Sequence, residues 1–300
     1  MRFSLFSKKE KRQKGLGRWE LAWLRFKENK FALTGCFLVG IQCFFAIFAP
    51  IITPYSLDSE WYTQGLINVP PSLEHPFGID KLGRDVFTWT IYGARTALYV
   101  GLLSTAITFA IALLVGLVSG YLGGLVDEIL MRFTDALMIF PSYLFILLLI
   151  KILGELAYGF SITFIAILIG LFGWPGDARI VRGQVKMLKG MDFVEGCIAL
   201  GVSQTRIIFK HILPGVIPIL VVSNMTGIGW RIMEVASITF LGFGDPTICD
   251  WGAMMNLGRD VLISAWWQTV FPGFFLFLTV LGFNMIADGL ADALNPRLVR

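Results

Sequence analysis

Residues 175–214 read PGDARIVRGQVKMLKGMDFVEGCIALGVSQTRIIFKHILP and hold six of the chain's 25 basic residues between two apolar runs. Arg179, Arg182, Lys186 and Lys189 recur at three- and four-residue spacing, so they share one helix face. Ile180, Val181, Val185, Met187 and Leu188 leave the other side for packing. Gly190 breaks that helix. A second short helix is predicted from about Phe193 to Leu200, ended by Gly201 in the left-handed conformation that closes helices. Ser203 then caps a third helix through Ile207, Ile208 and Phe209. Pro214 falls in the first turn of the next apolar run or kinks the join. Helix, glycine, helix at a membrane boundary makes a short element lying across one face. It reads either as a docking knob for a partner or as an ordinary amphipathic interfacial loop.

Outward from this stretch the chain is apolar. Its 300 residues are 56% hydrophobic and 15% charged, with a mean hydropathy of +0.71. Soluble chains carry roughly a quarter charged residues, and disorder needs low hydrophobicity, so the composition excludes both classes. A net charge of +4 is too small to suggest nucleic acid. The predicted class is an all-α polytopic membrane protein. Six runs approach the about 20 apolar residues that cross hydrocarbon: Phe31–Ile52, Leu98–Gly120, Phe133–Ile150, Leu156–Trp174, Leu213–Ala236 and Val270–Ala287. On alternating sides, nineteen basic residues oppose five, with Arg231 inside a span. The positive-inside bias therefore puts both termini in the cytoplasm.

The organisation expected is a basic head at 1–30, the first span at 31–52, an extracytoplasmic loop at 53–95, a core at 96–291 with its cytoplasmic loop at 175–212, and a tail at 292–300. The head lacks the short apolar segment and cleavage site of a signal peptide. Cys36, Cys43, Cys197 and Cys249 form no motif, and His75 and His211 are far apart, so neither a disulfide framework nor a metal site is expected. Ser104, Thr108, Ala112, Gly116, Gly120 and Gly124 recur every four positions, a stripe that lets a second helix approach closely. It reads as tight packing or as a line along which helices slide during gating. Pro141 is expected to kink the third span. Arg231 and Glu234 are three apart and can pair on one helix face, as an interfacial ion pair or as charges with an intramembrane function. Asp80 and Asp85, in the outer loop, are candidates to meet an external protein. Asp135, Asp288 and Asp292 read as structural or contact residues, and His211 as a helix-terminal one.

Glu195-Gly196-Cys197, then Gly201, then His211-Ile212-Leu213-Pro214 resembles the signature cytoplasmic loop of binding-protein-dependent ABC importer permeases, and the coupling loop so implied includes Ala199. Two alanines are usual in that family where Gly196 and Cys197 stand here. Further stretches resemble the dipeptide/oligopeptide (peptide/nickel) branch, second-subunit type. They include 77–85, 92–98, 120–124, 237–244, 251–254, 271–273 and 284–296. The resemblance is nearly continuous from about residue 20 onward.

The resemblance implies a type I ABC importer (MetI-like) permease fold in a bacterial or archaeal cytoplasmic membrane. It implies a homologous second permease subunit, two ATP-binding cassette ATPase subunits and an extracytoplasmic substrate-binding protein as partners. The helix from about Phe193 to Ile207 would be the coupling element, with Glu195 facing the ATPase and Gly201 allowing the turn. Arg206 and Lys210 would pair with ATPase acids or with anionic membrane lipid. Peptides are the implied substrate, with a nickel chelate or glutathione as alternatives in the same branch. No Gly-Lys dipeptide occurs, so a Walker-type phosphate loop is absent. ATP and Mg are then expected on the partner subunits, with no catalytic residue and no cofactor in this chain. A secondary transporter would instead predict interrupted half-helices in matched halves, and a membrane enzyme clustered His, Asp or Glu. Neither pattern is visible in the sequence.

Overall fold

The computed structural model describes residues 17–53, 55, 66–156, 161–245 and 247–294. The expectations for 1–16, for most of 54–65 and for 295–300 lie outside the described residues. Among those described, the chain is helical and has no strand beyond one isolated bridge between Ile79 and Asp85. In chain order the helices are α1 (Arg18–Glu28), α2 (Lys30–Ile52), α3 (Val86–Leu122), α4 (Gly124–Ile139), α5 (Ser142–Leu156), α6 (Ile162–Phe172) and α7 (Pro175–Lys189). The short α8 (Asp192–Ala199) and α9 (Gln204–Ile207) precede a π-helical turn at Ile208–Ile212 and α10 (Leu213–Ile238). A second π turn covers Thr239–Phe243, followed by α11 (Trp251–Arg259) and α12 (Trp267–Leu294).

Among the described residues, five helical stretches are long and apolar enough to span a membrane, or six if the bent pair α4–α5 is one span. The span boundaries differ from the sequence expectation in three places. The second span begins at Val86, not Leu98, because Asp85 caps it: its carboxylate accepts from Thr88 N at 2.7 Å and Thr88 Oγ1 at 2.8 Å. At 37 residues α3 is about 55 Å long, well beyond the hydrocarbon thickness. The fourth span continues through Gly173 and Trp174 into α7, so the basic stretch 175–189 is part of the bundle. Pro141 does not kink a continuous third helix. The chain breaks at Phe140-Pro141 and the two pieces meet at 79°. An interrupted helix is thus present after all, without a second bent pair among the described residues.

The basic face of α7 is tied to its neighbours, although Arg179 and Lys186 stay exposed. Arg182 donates to both carboxylate oxygens of Asp127, at 2.5 and 2.8 Å, and Lys186 reaches the same group at 2.6 Å. Arg179 pairs with Asp135, and Lys189 donates to the Tyr121 carbonyl at 2.7 Å. A row of cations that looked like an outward surface is consumed by α4 and the end of α3. The apolar side of α7 (Ala178, Val181, Val185) is fully buried against α3.

The segment before α3 is a compact knot. Asp80 accepts from Leu82 N at 2.8 Å, Arg84 N at 2.9 Å and Arg84 Nε at 2.6 Å. Arg84 lies 3.8 Å from the Trp89 ring centroid, and His75 Nδ1 is 3.0 Å from Asp85. Asp80 and Asp85 are both buried. Their proposed contact with an external protein is therefore corrected: they shape the loop and cap the helix, and offer no surface.

Candidate functional site

Two places gather chemistry. The first is the α8 region. Helix α8 ends in a Schellman motif, with Gly201 at φ +73°, Gly201 N donating to Ile198 O and Val202 N to Cys197 O, each at 3.0 Å. Ser203 sits at the N-terminus of α9 but its side chain makes no cap, which corrects that expectation. The Phe193–Ile207 element is therefore two helices meeting at Gly201.

Anchoring of α8 is narrow. Val194 is fully buried and joins Ile207, Ile212, Val216, Val185 and Leu188 in one apolar cluster. The Cys197 thiol lies 4.0 Å from His211 Nε2, and the Phe193 ring centroid is 6.1 Å from that of His211. Cys197 and His211 thus tie α8 to the π-helical turn that leads into α10. The rest of α8 is bare. Glu195, Gly196 and Ala199 are exposed, as are Ser203, Arg206 and Pro214 beyond it. A side chain at Gly196 would meet nothing within 4 Å. Leu200 is 84% exposed, with Phe193, Ile198 and Phe209 also in the open. An apolar edge beside Glu195, Arg206 and Lys210 on a short, rigidly seated helix suits a protein groove.

The second place is mid-span, where α3, the α6–α7 junction and α10 meet. Arg231 does not pair with Glu234. Its guanidinium lies 3.5 Å from Asp177 Oδ2 and 3.3 Å from Thr105 Oγ1. Asp177 is itself held by Ser223 Oγ at 2.5 Å and Asn224 Nδ2 at 3.3 Å. Arg231, Asp177 and Ser223 line an open cavity of 460 Å³ with Gly173, Gly176 and Trp230. Asp177 was not among the sequence candidates. Its signal was a carboxylate in the first turn of a Pro-started helix, opposite the one Arg inside a span. Glu234 faces a second cavity, of 290 Å³, lined also by Ser142, Ile146 and Phe172.

The small-residue stripe is a packing seam on α3. Thr108 Oγ1 donates to Gly170 O at 3.2 Å, and Ser104 and Ala112 are fully buried. A Cβ on Gly116 would lie 2.5 Å from Val181 Cβ, and one on Gly120 2.8 Å from Val185 Cβ. Gly124 is off the seam. Gly123 and Gly124, at φ +69° and +54°, turn the chain into α4, and a Cβ on Gly124 meets nothing.

Residues 112–300 match the family described as binding-protein-dependent transport system inner membrane component. Residues 17–71 match the N-terminal transmembrane domain of oligopeptide transport permease C. The dipeptide transport system permease protein DppC of Bacillus subtilis is 39% identical over 93% of this chain and 86% of that relative. The oligopeptide transport system permease protein OppC of the same organism is 37% identical, over 95% and 92%. The glutathione transport system permease protein GsiD of Escherichia coli is 38% identical, over 93% and 91%.

Proposed function

This chain belongs to the binding-protein-dependent transport system inner membrane components, and we propose from that membership that it is one of two homologous permease subunits of an ATP-driven peptide importer. The single observation that carries the mechanism is the exposed α8, seated between two spans by Val194 and presenting Glu195 and an apolar edge. In this reading six spans cross a bacterial or archaeal cytoplasmic membrane with both termini inside. The second permease completes the path, and an extracytoplasmic binding protein delivers the peptide. Two ATPase subunits bind ATP and Mg, and one of them receives α8 in a groove. Closure of the ATPase pair draws the coupling elements together and turns the path outward, and hydrolysis reverses it. This chain then has no catalytic residue and is not an enzyme.

The 38% identity to a glutathione permease favours one second reading, the same importer type carrying glutathione. Purification of the assembled importer followed by ATP-driven uptake into proteoliposomes separates the two. Accumulation of di- or oligopeptides, undiminished by excess glutathione, is expected. Uptake of glutathione alone selects the second reading, and uptake without any ATPase subunit overturns both.

A further inference from the structure

Arg231 and Glu234 face two cavities that share Gly173 and Gly176 as lining residues, so the cavities adjoin across the α6–α7 junction. The location is the middle of the bundle, since Thr105 is central in α3 and Gly173 and Gly176 are central in the 162–189 span. The two charges are not equivalent. Arg231 is already answered by Asp177, and Asp177 by Ser223 and Asn224. Glu234 has no hydrogen-bond or ion-pair partner among the described residues, although it lines a cavity with Ser142 as its polar neighbour. By formal count Arg231, Asp177 and Glu234 are two acids against one base, and the Arg231 charge, which also acts on Glu234 through space, sits in contact with Asp177. An ionisable group in this position is costly unless a cation meets it.

We propose that Glu234 is the counter-charge for the α-ammonium group of the peptide as it passes through this subunit, and so a specificity-determining residue for cargo with a free amino terminus. The claim rests on the peptide-importer reading above and deepens it. A peptide offers one ammonium on a largely polar backbone, and an ammonium seeks carboxylate and hydroxyl acceptors, which Glu234 and Ser142 supply. The adjoining 460 Å³ cavity gives room for the remainder of a short peptide. Arg231 is charge-paired with Asp177, so the site offers the carboxylate terminus no net positive charge and reads the amino end of the cargo.

The test uses the whole importer. In purified wild-type complex, a hydrophobic carbodiimide should modify Glu234, as read by mass spectrometry. A dipeptide with a free amino terminus should slow this labelling about tenfold, and its N-acetyl analogue should not. In proteoliposomes, Glu234→Gln should lower ATP-driven uptake of the free-amine peptide about tenfold, with Glu234→Asp restoring most of it. Equal protection by both peptides, no protection by either, or unchanged uptake in Glu234→Gln overturns the assignment and leaves the importer reading standing. A wild-type importer that accumulates no peptide overturns both.

Discussion

Single residues settle how the backbone survives inside the bundle. Pro50 lies within α2 and has no N–H, so the carbonyl of Ala46 loses its helical donor. Arg95 of α3 fills the gap, donating to Ala46 O and, at 3.3 Å, to Ile47 O. Ala46 is half-buried, so Arg95→Met should cost about 1 kcal/mol, the low end for an acceptor left without its donor. The same change in a Pro50→Ala background should cost clearly less, because the helix then supplies its own donor. A double-mutant cycle on thermal unfolding in detergent measures the difference, and additive losses would refute the pairing. Asp250 gives a pH counterpart. It caps α11 through Ala253 N at 2.9 Å and is buried. Burial raises its pKa above the usual 3.8, against the hydrogen bonds from Thr239, Ala253 and Gly252 that lower it. The folded state then holds the proton more tightly than the unfolded one. Its contribution is complete below 3.8 and is lost as pH rises through the folded value. Relative to Asp250→Asn, the wild type should gain thermal stability on acidification toward that range, and parallel pH profiles would contradict it.

Elements show what periodicity can and cannot carry. The four-residue stripe from Ser104 to Gly120 is a seam, and Gly116→Leu should destabilise by about 1–3 kcal/mol through overpacking against Val181. Gly124→Ala should cost about 1–2 kcal/mol for a different reason, left-handed backbone with open space around it. Val181→Ala should rescue neither variant, because Val181 Cβ and the Ala178 carbonyl, at 2.5 and 2.6 Å from the added atom, stay in place. The sequence pattern placed both glycines on one line because spacing does not reveal where a helix stops. The same limit applies to α7, whose cations looked solvent-facing. Their carboxylate partners, Asp127 and Asp135, lie more than 40 positions away, and no local rule pairs residues at that distance. By contrast, the Gly201 turn was legible, since a C′ glycine acts within one helix end. For α8 the expectation is concrete. Gly201→Pro removes the donor to Ile198 O and forbids φ +73°, and Glu195→Lys reverses the charge of the exposed face. Each should release the ATPase subunits on size-exclusion chromatography while the chain still inserts in the membrane. Intact, fully active complex in both would remove the docking role.

At the scale of the molecule, two mechanical routes join the two sites: the Cys197–His211 contact leads straight into α10, and a second runs through α7. Helix α8 follows α7 after only Gly190 and Met191. Helix α7 grips α4 through Asp127, which receives Arg182 and Lys186, and through the Arg179–Asp135 pair. Helix α4 leads across the 79° break into α5. Leu137, Met138, Ser142 and Ile146 from that pair line the cavity that Glu234 faces. A displacement of α8 therefore reaches the cavity through charges, where apolar side chains would let the helices slip. Asp127 is the hub because its side chain is only 10% exposed and holds two cations. Asp127→Asn should leave half-buried Arg182 and exposed Lys186 without a counter-charge, at a cost of about 1–3 kcal/mol. The expected phenotype is an assembled importer that hydrolyses ATP but accumulates less peptide per ATP. Arg182→Gln should be milder, since Lys186 still reaches the carboxylate at 2.6 Å. Measuring uptake and phosphate release on the same proteoliposomes decides it. A parallel fall in both rates would make Asp127 a simple stability residue, whereas a falling ratio identifies the α4–α7 grip as a link between ATPase and path.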